Sequence, residues 1–301
     1  MTKAYILLVF SVLCIGVYFA VMNVFQKRTK PSLAVSLMFA AGYAFCGLVL
    51  LACVMKFQLK FTWFALGLGA LISLCYMTNL IMGIKILSVG GISLFTIFMM
   101  LGGMIVPFVF GILFLNEPVT PLKLIAVLLM IVSLVLATYT AGENGAVNKK
   151  KLILYCITVF FSNGGTSVIA TVHQHKNNIG RAVSEIQFSW MEYLFTFTFS
   201  VIILIVLAVR RRDDFREALC EIKSRGNFVF PAIYVVFVAV SNICLLKAVA
   251  VLPASVQFPM ITGGTIIVST LIGRLFFKEK VSLTAWAGVV LTVGATIMFA
   301  F

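Results

Sequence analysis

Charge is what this sequence has least of. Only 11% of its 301 residues are Asp, Glu, Lys or Arg, and just nine are acidic. Histidine occurs twice, and the seven cysteines form no pattern. Cys14, Cys46, Cys53, Cys75, Cys156 and Cys244 lie inside apolar runs and only Cys220 in a polar loop, which argues against a disulfide framework and against a metal cluster. Enzyme signatures are missing too: there is no Ser-His-Asp set with credible spacing, no CxxC, no HExxH and no GxxxxGKS/T phosphate loop. Without that loop the chain carries no ATP-binding domain and implies no ATPase subunit, so uphill work would draw on an ion gradient or on exchange. No cofactor is expected. The lack of a long charged ring or a filter-like loop argues against a channel.

What the chain has instead is apolar sequence. Hydrophobic residues make up 62% of it and the mean hydropathy is +1.14, so its solvent is lipid. A span needs about 20 apolar residues, and ten segments qualify: 4–25, 32–55, 62–86, 91–115, 121–140, 152–175, 184–209, 228–250, 254–277 and 283–301. The breaks are chemical. QKRTKP (26–31) and MKFQLK (55–60) are cationic, SVGG (88–91) and VLPAS (251–255) read as tight turns, and NEPVTP (116–121) and KEKVS (278–282) as polar stops. The insert 210–227 is long enough for a short interfacial helix with Phe215, Leu219 and Ile222 on one face. MTKAYILL resembles the start of a signal peptide, but no small-residue cleavage site follows, so it is read as the first span. The net charge of +14 belongs to short loops facing lipid headgroups and is no nucleic-acid signature.

The segment Lys85–Leu134 returns as Lys247–Thr296 when shifted by 162 positions, without a gap. Lys85 falls on Lys247, Ser93 on Ser255, Gly102 on Gly264, Gly111 on Gly273 and Glu117 on Glu279. The polar segment 143–151 divides five spans (1–142) from five (152–301). An odd number per half makes the second copy enter the membrane from the opposite side, so the halves are inverted repeats, a recurring basis of alternating access. The fold class expected is an all-α membrane protein of ten transmembrane helices in two inverted five-helix repeats.

Two five-helix halves, each with a Gly-containing fourth helix ending in Glu and a short fifth helix, resemble the drug/metabolite transporter superfamily of the EamA type. GILFLNEPVT (Gly111–Thr120) and GRLFFKEKVS (Gly273–Ser282) carry the resemblance, which covers nearly the whole chain. It implies a ten-helix secondary transporter of a small metabolite and names no substrate. It also implies cytoplasmic termini. Most of the 23 Lys and Arg residues, however, fall in the loops after odd-numbered spans, which by the positive-inside rule puts both termini outside.

Glu192 is the sharpest chemical signal, because an intramembrane acid is costly and usually functional. Glu185, Ser189, Glu192, Thr196 and Ser200 recur at helical spacing and form one polar stripe. Trp190 and Tyr193 flank the carboxylate, a setting suited to an amine or quaternary ammonium. Span six offers a second polar face with Ser162, Asn163, Thr166 and His173, and the Gly pair after Asn163 either lines a cavity or permits close helix packing. Tyr76, Asn79 and Gly83 share a face of span three, and Asn242 lies in the equivalent region of span eight. Gln257 and Thr262 are placed at the cavity from span nine. Lys85 and Lys247 are expected to snorkel, and Glu117 and Glu279 to fix helix ends.

The reading is a secondary active transporter of the cytoplasmic membrane, working by alternating access, as a monomer or homodimer. Its substrate is a small molecule, an amine or another polar metabolite. The substrate site expected is Glu192, Trp190, Tyr193, Asn163, Thr166, Tyr76, Asn79, Asn242, Gln257 and Thr262, with Glu192 and His173 as proton-coupling candidates. A non-transporting scaffold, which would show no counterflow, and a membrane-embedded enzyme on lipid, which would yield an altered product, are the rivals.

Overall fold

The computed structural model describes residues 2–30, 32–115, 120–141, 149–174, 180–249, 254–277 and 283–299, and among them every regular element is helical. In chain order these are α1 (Thr2–Arg28), α2 (Leu33–Val54), α3 (Trp63–Leu115), α4 (Pro121–Ala141), α5 (Lys149–Gln174), α6 (Glu185–Arg210), α7 (Arg212–Lys223), α8 (Val229–Val249), α9 (Ala254–Phe277) and α10 (Leu283–Phe299). A 3₁₀ turn, Ser224–Gly226, joins α7 to α8. Six helical stretches are long and apolar enough to cross a membrane among the described residues. Four shorter apolar stretches lie in α4, α8, α9 and α10. The protein is a multi-pass helical membrane protein.

The turn expected at SVGG is absent as a break in the helix, since α3 keeps helical backbone for 53 residues. It nevertheless reverses. A Cβ built on Gly83 would lie 2.7 Å from the Phe95 ring, yet twelve residues of straight helix span about 18 Å. The chain must fold back between these positions, giving α3 two arms, one before Gly83 and one after Phe95. The local reason is packing: Phe95 needs a site without a Cβ, and Gly83 supplies it. Residues 149–151, expected in the linker 143–151, are the first residues of α5. Glu117, Glu279 and His175 lie outside the described residues, as do the side chains of Lys247 and Gln257.

Caps and hydroxyls fix the helix ends and crossings. Ser32 accepts the Val35 N–H at 3.2 Å at the start of α2, and Gln187 accepts the Ser184 N–H at 3.3 Å at the start of α6. Helix α1 packs on α8 and α9, α2 on α6, α4 on α10, and α5 on both arms of α3, with Gly165 against Cys75 of the first and Phe160 against Gly102 of the second. Between α4 and α10, buried Ser133 reaches the Gly288 carbonyl at 2.9 Å and the Thr292 hydroxyl at 2.8 Å. Between α1 and α8 the Ser11 and Ser241 hydroxyls meet at 2.8 Å. Hydroxyls satisfied across helices are the means by which small polar residues join helices in lipid.

The interfacial helix expected over 210–227 is α7. Its inward contacts are Ala218, which is buried, and Ile222, packed on Phe25, Ala34, Val35 and Phe39. Leu219, expected on the same face, is instead exposed. At 100° per residue it lies a quarter turn or more from Ala218, and the smaller residue allows the closer approach to α2.

Candidate functional site

The site is built around one turn of α6. Ser73 of α3 donates its hydroxyl to the main-chain carbonyl of Glu192 at 2.8 Å. One residue earlier, Met191 packs over Gly69, where a Cβ would stand 3.2 Å from it. One residue later, the Tyr193 ring fills the space above Gly47 of α2, 2.7 Å from a Cβ placed there. Two missing side chains on neighbouring helices thus let α6 approach closely just where it carries its acid. Further along the stripe Thr196 and Ser200 are buried, and the Ser200 hydroxyl faces Met77 Sδ at 3.4 Å.

Five tyrosines from five helices gather at this level. Tyr43 of α2 meets Tyr193 of α6 edge-on at 6.3 Å, and Tyr234 of α8 at 5.2 Å. Tyr18 of α1 meets Tyr234 edge-on at 5.2 Å. Tyr76 of α3 completes the ring: its hydroxyl interacts electrostatically with Glu192, Tyr193, Tyr43 and Tyr18. Tyr43 and Tyr193 interact with Glu192 in the same way. Tyr76 is 37% exposed although the groups it interacts with belong to three other helices. Glu192 is half-buried, and among the described residues no donor or cation reaches its carboxylate. A carboxylate in such a place can be neutralised by a bound cation or by a proton.

The other expected site residues divide. Trp190 turns away from the carboxylate, its indole N–H donating to the Leu48 carbonyl at 3.1 Å and its ring lying 6.0 Å from Phe61. Asn163 donates its amide to the Met99 carbonyl at 2.6 Å. Gly102 and Gly164 sit where a Cβ would strike the Phe160 main chain and Val106, so the Gly pair serves close helix packing rather than a cavity. Thr166 is buried and bonds back to the Asn163 carbonyl at 2.7 Å. Asn79 is buried on the Tyr76 face of α3, with Oδ1 unpartnered. Thr262 is buried on α9, and Asn242 is half-buried next to the Ser241 contact with α1.

His173, the other proton-coupling candidate, is buried, stacked on Phe188 at 4.0 Å and facing Phe64 at 6.4 Å. Its Nε2 accepts the Val183 N–H at 3.3 Å. It ties the end of α5 to the approach to α6 and makes no contact with Glu192 among the described residues.

Tyr18, Tyr43 and Tyr234 were missed by the sequence reading. A usable signal was present: tyrosine favours the membrane–water interface, yet five of the eight tyrosines sit in the middle of apolar runs.

Residues 219–292 match the family model described as Small Multidrug Resistance protein. A protein of Hamiltonella defensa subsp. Acyrthosiphon pisum (strain 5AT), named as a probable 4-amino-4-deoxy-L-arabinose-phosphoundecaprenol flippase subunit ArnE, is 34% identical over 79 residues. That match covers 26% of this chain and 70% of the relative. A solved crystal structure of another protein shares the fold over 99% of this chain and 96% of its own, with a TM-score of 0.54 at 14% identity.

Proposed function

Because the chain belongs to the drug/metabolite-transporter type of family, with small multidrug resistance proteins and ArnE-like flippase subunits as its relatives, we propose that it is a secondary carrier of a small amine-bearing solute. The carrier belongs to the EamA type, sits in the plasma membrane and works by alternating access. The observation that carries the substrate reading is the partnerless Glu192 carboxylate inside a ring of tyrosines. Aromatic faces attract a desolvated cation, and a carboxylate supplies its counter-charge. The solute moiety in the relative's name also bears an amino group. Glu192 serves in turn as cation partner and as proton carrier. Tyr76, Tyr43, Tyr193, Tyr18 and Tyr234 line the path, and Asn79 sits one turn beyond Tyr76 as a nearby acceptor. Trp190, Asn163 and Thr166 frame the site from behind.

Ten spans in two inverted repeats, 1–142 and 152–301, are the architecture of this reading. Counting the arms of α3 as the third and fourth spans, the α2–α6 pair joins the second span of each half and the α4–α10 pair joins the fifth of each. Such self-pairing supports an in-plane two-fold, whose axis brings equivalent helices together. The packing of α1 on α8 and α9 likewise answers that of α5 on the two arms of α3.

The test is ligand-induced thermal stabilisation of the detergent-purified protein by putrescine, agmatine, choline and glucosamine, beside amino acids, neutral sugars and nucleotides. A ligand at a hundred times its dissociation constant adds about 2.7 kcal/mol. An amine shift present in the native protein and lost in Glu192→Gln supports the reading. Stabilisation by neutral sugars alone, or an amine shift unchanged in Glu192→Gln, overturns it.

A further inference from the structure

Helix α7 separates its charges by face, and its basic flank has no use in the solute site. The helix begins two residues after Arg210, where α6 ends as a candidate membrane span, and leads through Ser224–Gly226 toward α8. It therefore lies at the end of the bundle, at the level where spans leave the membrane. Ala218 and Ile222 anchor it against α1 and α2, which fixes where its other faces point. At 100° per residue, Asp213, Glu217 and Glu221 share one flank. Glu217 pairs with Lys30 of the connection between α1 and α2, so this flank is turned toward the protein's own cations. Arg212, Arg216 and Lys223 occupy the opposite flank and are exposed. Among the described residues none of these three has an ion-pair partner. Leu219, 46% exposed, stands among them, and Phe228, 64% exposed, follows the end of the helix.

We propose that this flank of α7 binds the headgroups of anionic phospholipids, with Arg212, Arg216 and Lys223 meeting the phosphates and Leu219 and Phe228 entering the acyl boundary. Three cations without partners favour an anionic surface. Exposed apolar side chains among them favour a lipid over a soluble anion, because only the lipid offers both chemistries at once. The long stems of Arg and Lys reach the phosphate level while their methylenes lie on apolar surface. The acidic flank does not oppose this binding, since Lys30 on one side and the body of the helix on the other hold it away. This surface is independent of the Glu192 site and needs no particular solute.

The experiment titrates phosphatidylglycerol, phosphatidylcholine and soluble glycerol 1-phosphate into the full-length protein in detergent and reads the melting temperature. Phosphatidylglycerol is expected to raise it and the other two to leave it unchanged. The apparent affinity should fall by roughly fivefold for each of Arg212→Gln, Arg216→Gln and Lys223→Gln. The triple variant should lose the shift while melting normally without lipid, and Asp213→Asn should keep it. Should the triple variant fail to fold, native protein at about 1 M salt, where the screening length is roughly 3 Å, must show the shift greatly reduced. An equal shift from phosphatidylcholine, a shift retained in the triple variant or at high salt, or an equal shift from glycerol 1-phosphate overturns the proposal. The last would mark a soluble-anion site instead.

Discussion

Ser73 Oγ lies 2.8 Å from the carbonyl oxygen of Glu192 and also 2.8 Å from that of Gly69, one turn back on its own helix. One buried hydroxyl is thus shared between α3 and the α6 turn that carries the acid. Tyr76 follows Ser73 by three residues, close to one turn of α3, so the same bond sets the relative height of Tyr76 and Glu192. Gly69, a further turn away, lets Met191 close the gap. Registry between the acid and its aromatic neighbour therefore rests on a small residue, a hydroxyl and a helix period.

Replacing Ser73 by Ala should cost about 0.6–1 kcal/mol of stability, the usual size of such a bond within a membrane bundle. It should also weaken amine binding severalfold, because Tyr76 and Glu192 lose their common anchor. Thermal melting with and without the amine panel checks both. Weaker stability with unchanged ligand shift would reduce Ser73 to packing alone.

Two glycines of α3 should behave in opposite ways. A Cβ at Gly102 would run into the main-chain oxygen of Phe160, which cannot swing aside, so Gly102→Ala should destabilise by about 3 kcal/mol or prevent folding. Gly67 has nothing within 4 Å of its missing Cβ. Gly67→Ala should leave the protein unchanged or stabilise it by about 0.5–1 kcal/mol through reduced backbone freedom. Melting temperatures of the two purified variants decide.

Tyr76 and Trp190 separate binding from packing. Tyr76→Phe keeps the ring but removes the hydroxyl beside Glu192, and should weaken amine stabilisation with little change in the ligand-free melting temperature. Trp190→Phe breaks the bond to the Leu48 carbonyl and should reduce stability by about 1 kcal/mol or more, seen as a lower ligand-free melting temperature. The ligand-induced shift should survive. The opposite pattern would exchange their roles.

These contrasts show where the sequence was readable. Helix existence followed from long apolar runs. Glu192 was visible because an acid in an apolar run is rare. Trp190 was legible only as a neighbour in sequence: adjacent helical residues point about 100° apart, so adjacency to Glu192 said nothing of sharing its face. The burial of His173 was not legible, because the Phe64 and Phe188 rings that enclose it both come from other helices. The tyrosine ring was hidden for the same reason, since five rings on five helices have no spacing to read. The reversal within α3 depends on Phe95 finding Gly83, a match of shapes rather than of pattern.

Solute is expected to cross the membrane past Glu192. Counterflow in proteoliposomes tests it most directly, with the best-binding amine of the panel inside unlabelled and outside as tracer. The native protein should concentrate tracer transiently, and Glu192→Gln should reduce the initial rate at least about tenfold while melting and reconstituting normally, a change equivalent to about 1.4 kcal/mol. Equal counterflow in the native protein and Glu192→Gln, or none in the native protein despite amine binding, would contradict the account.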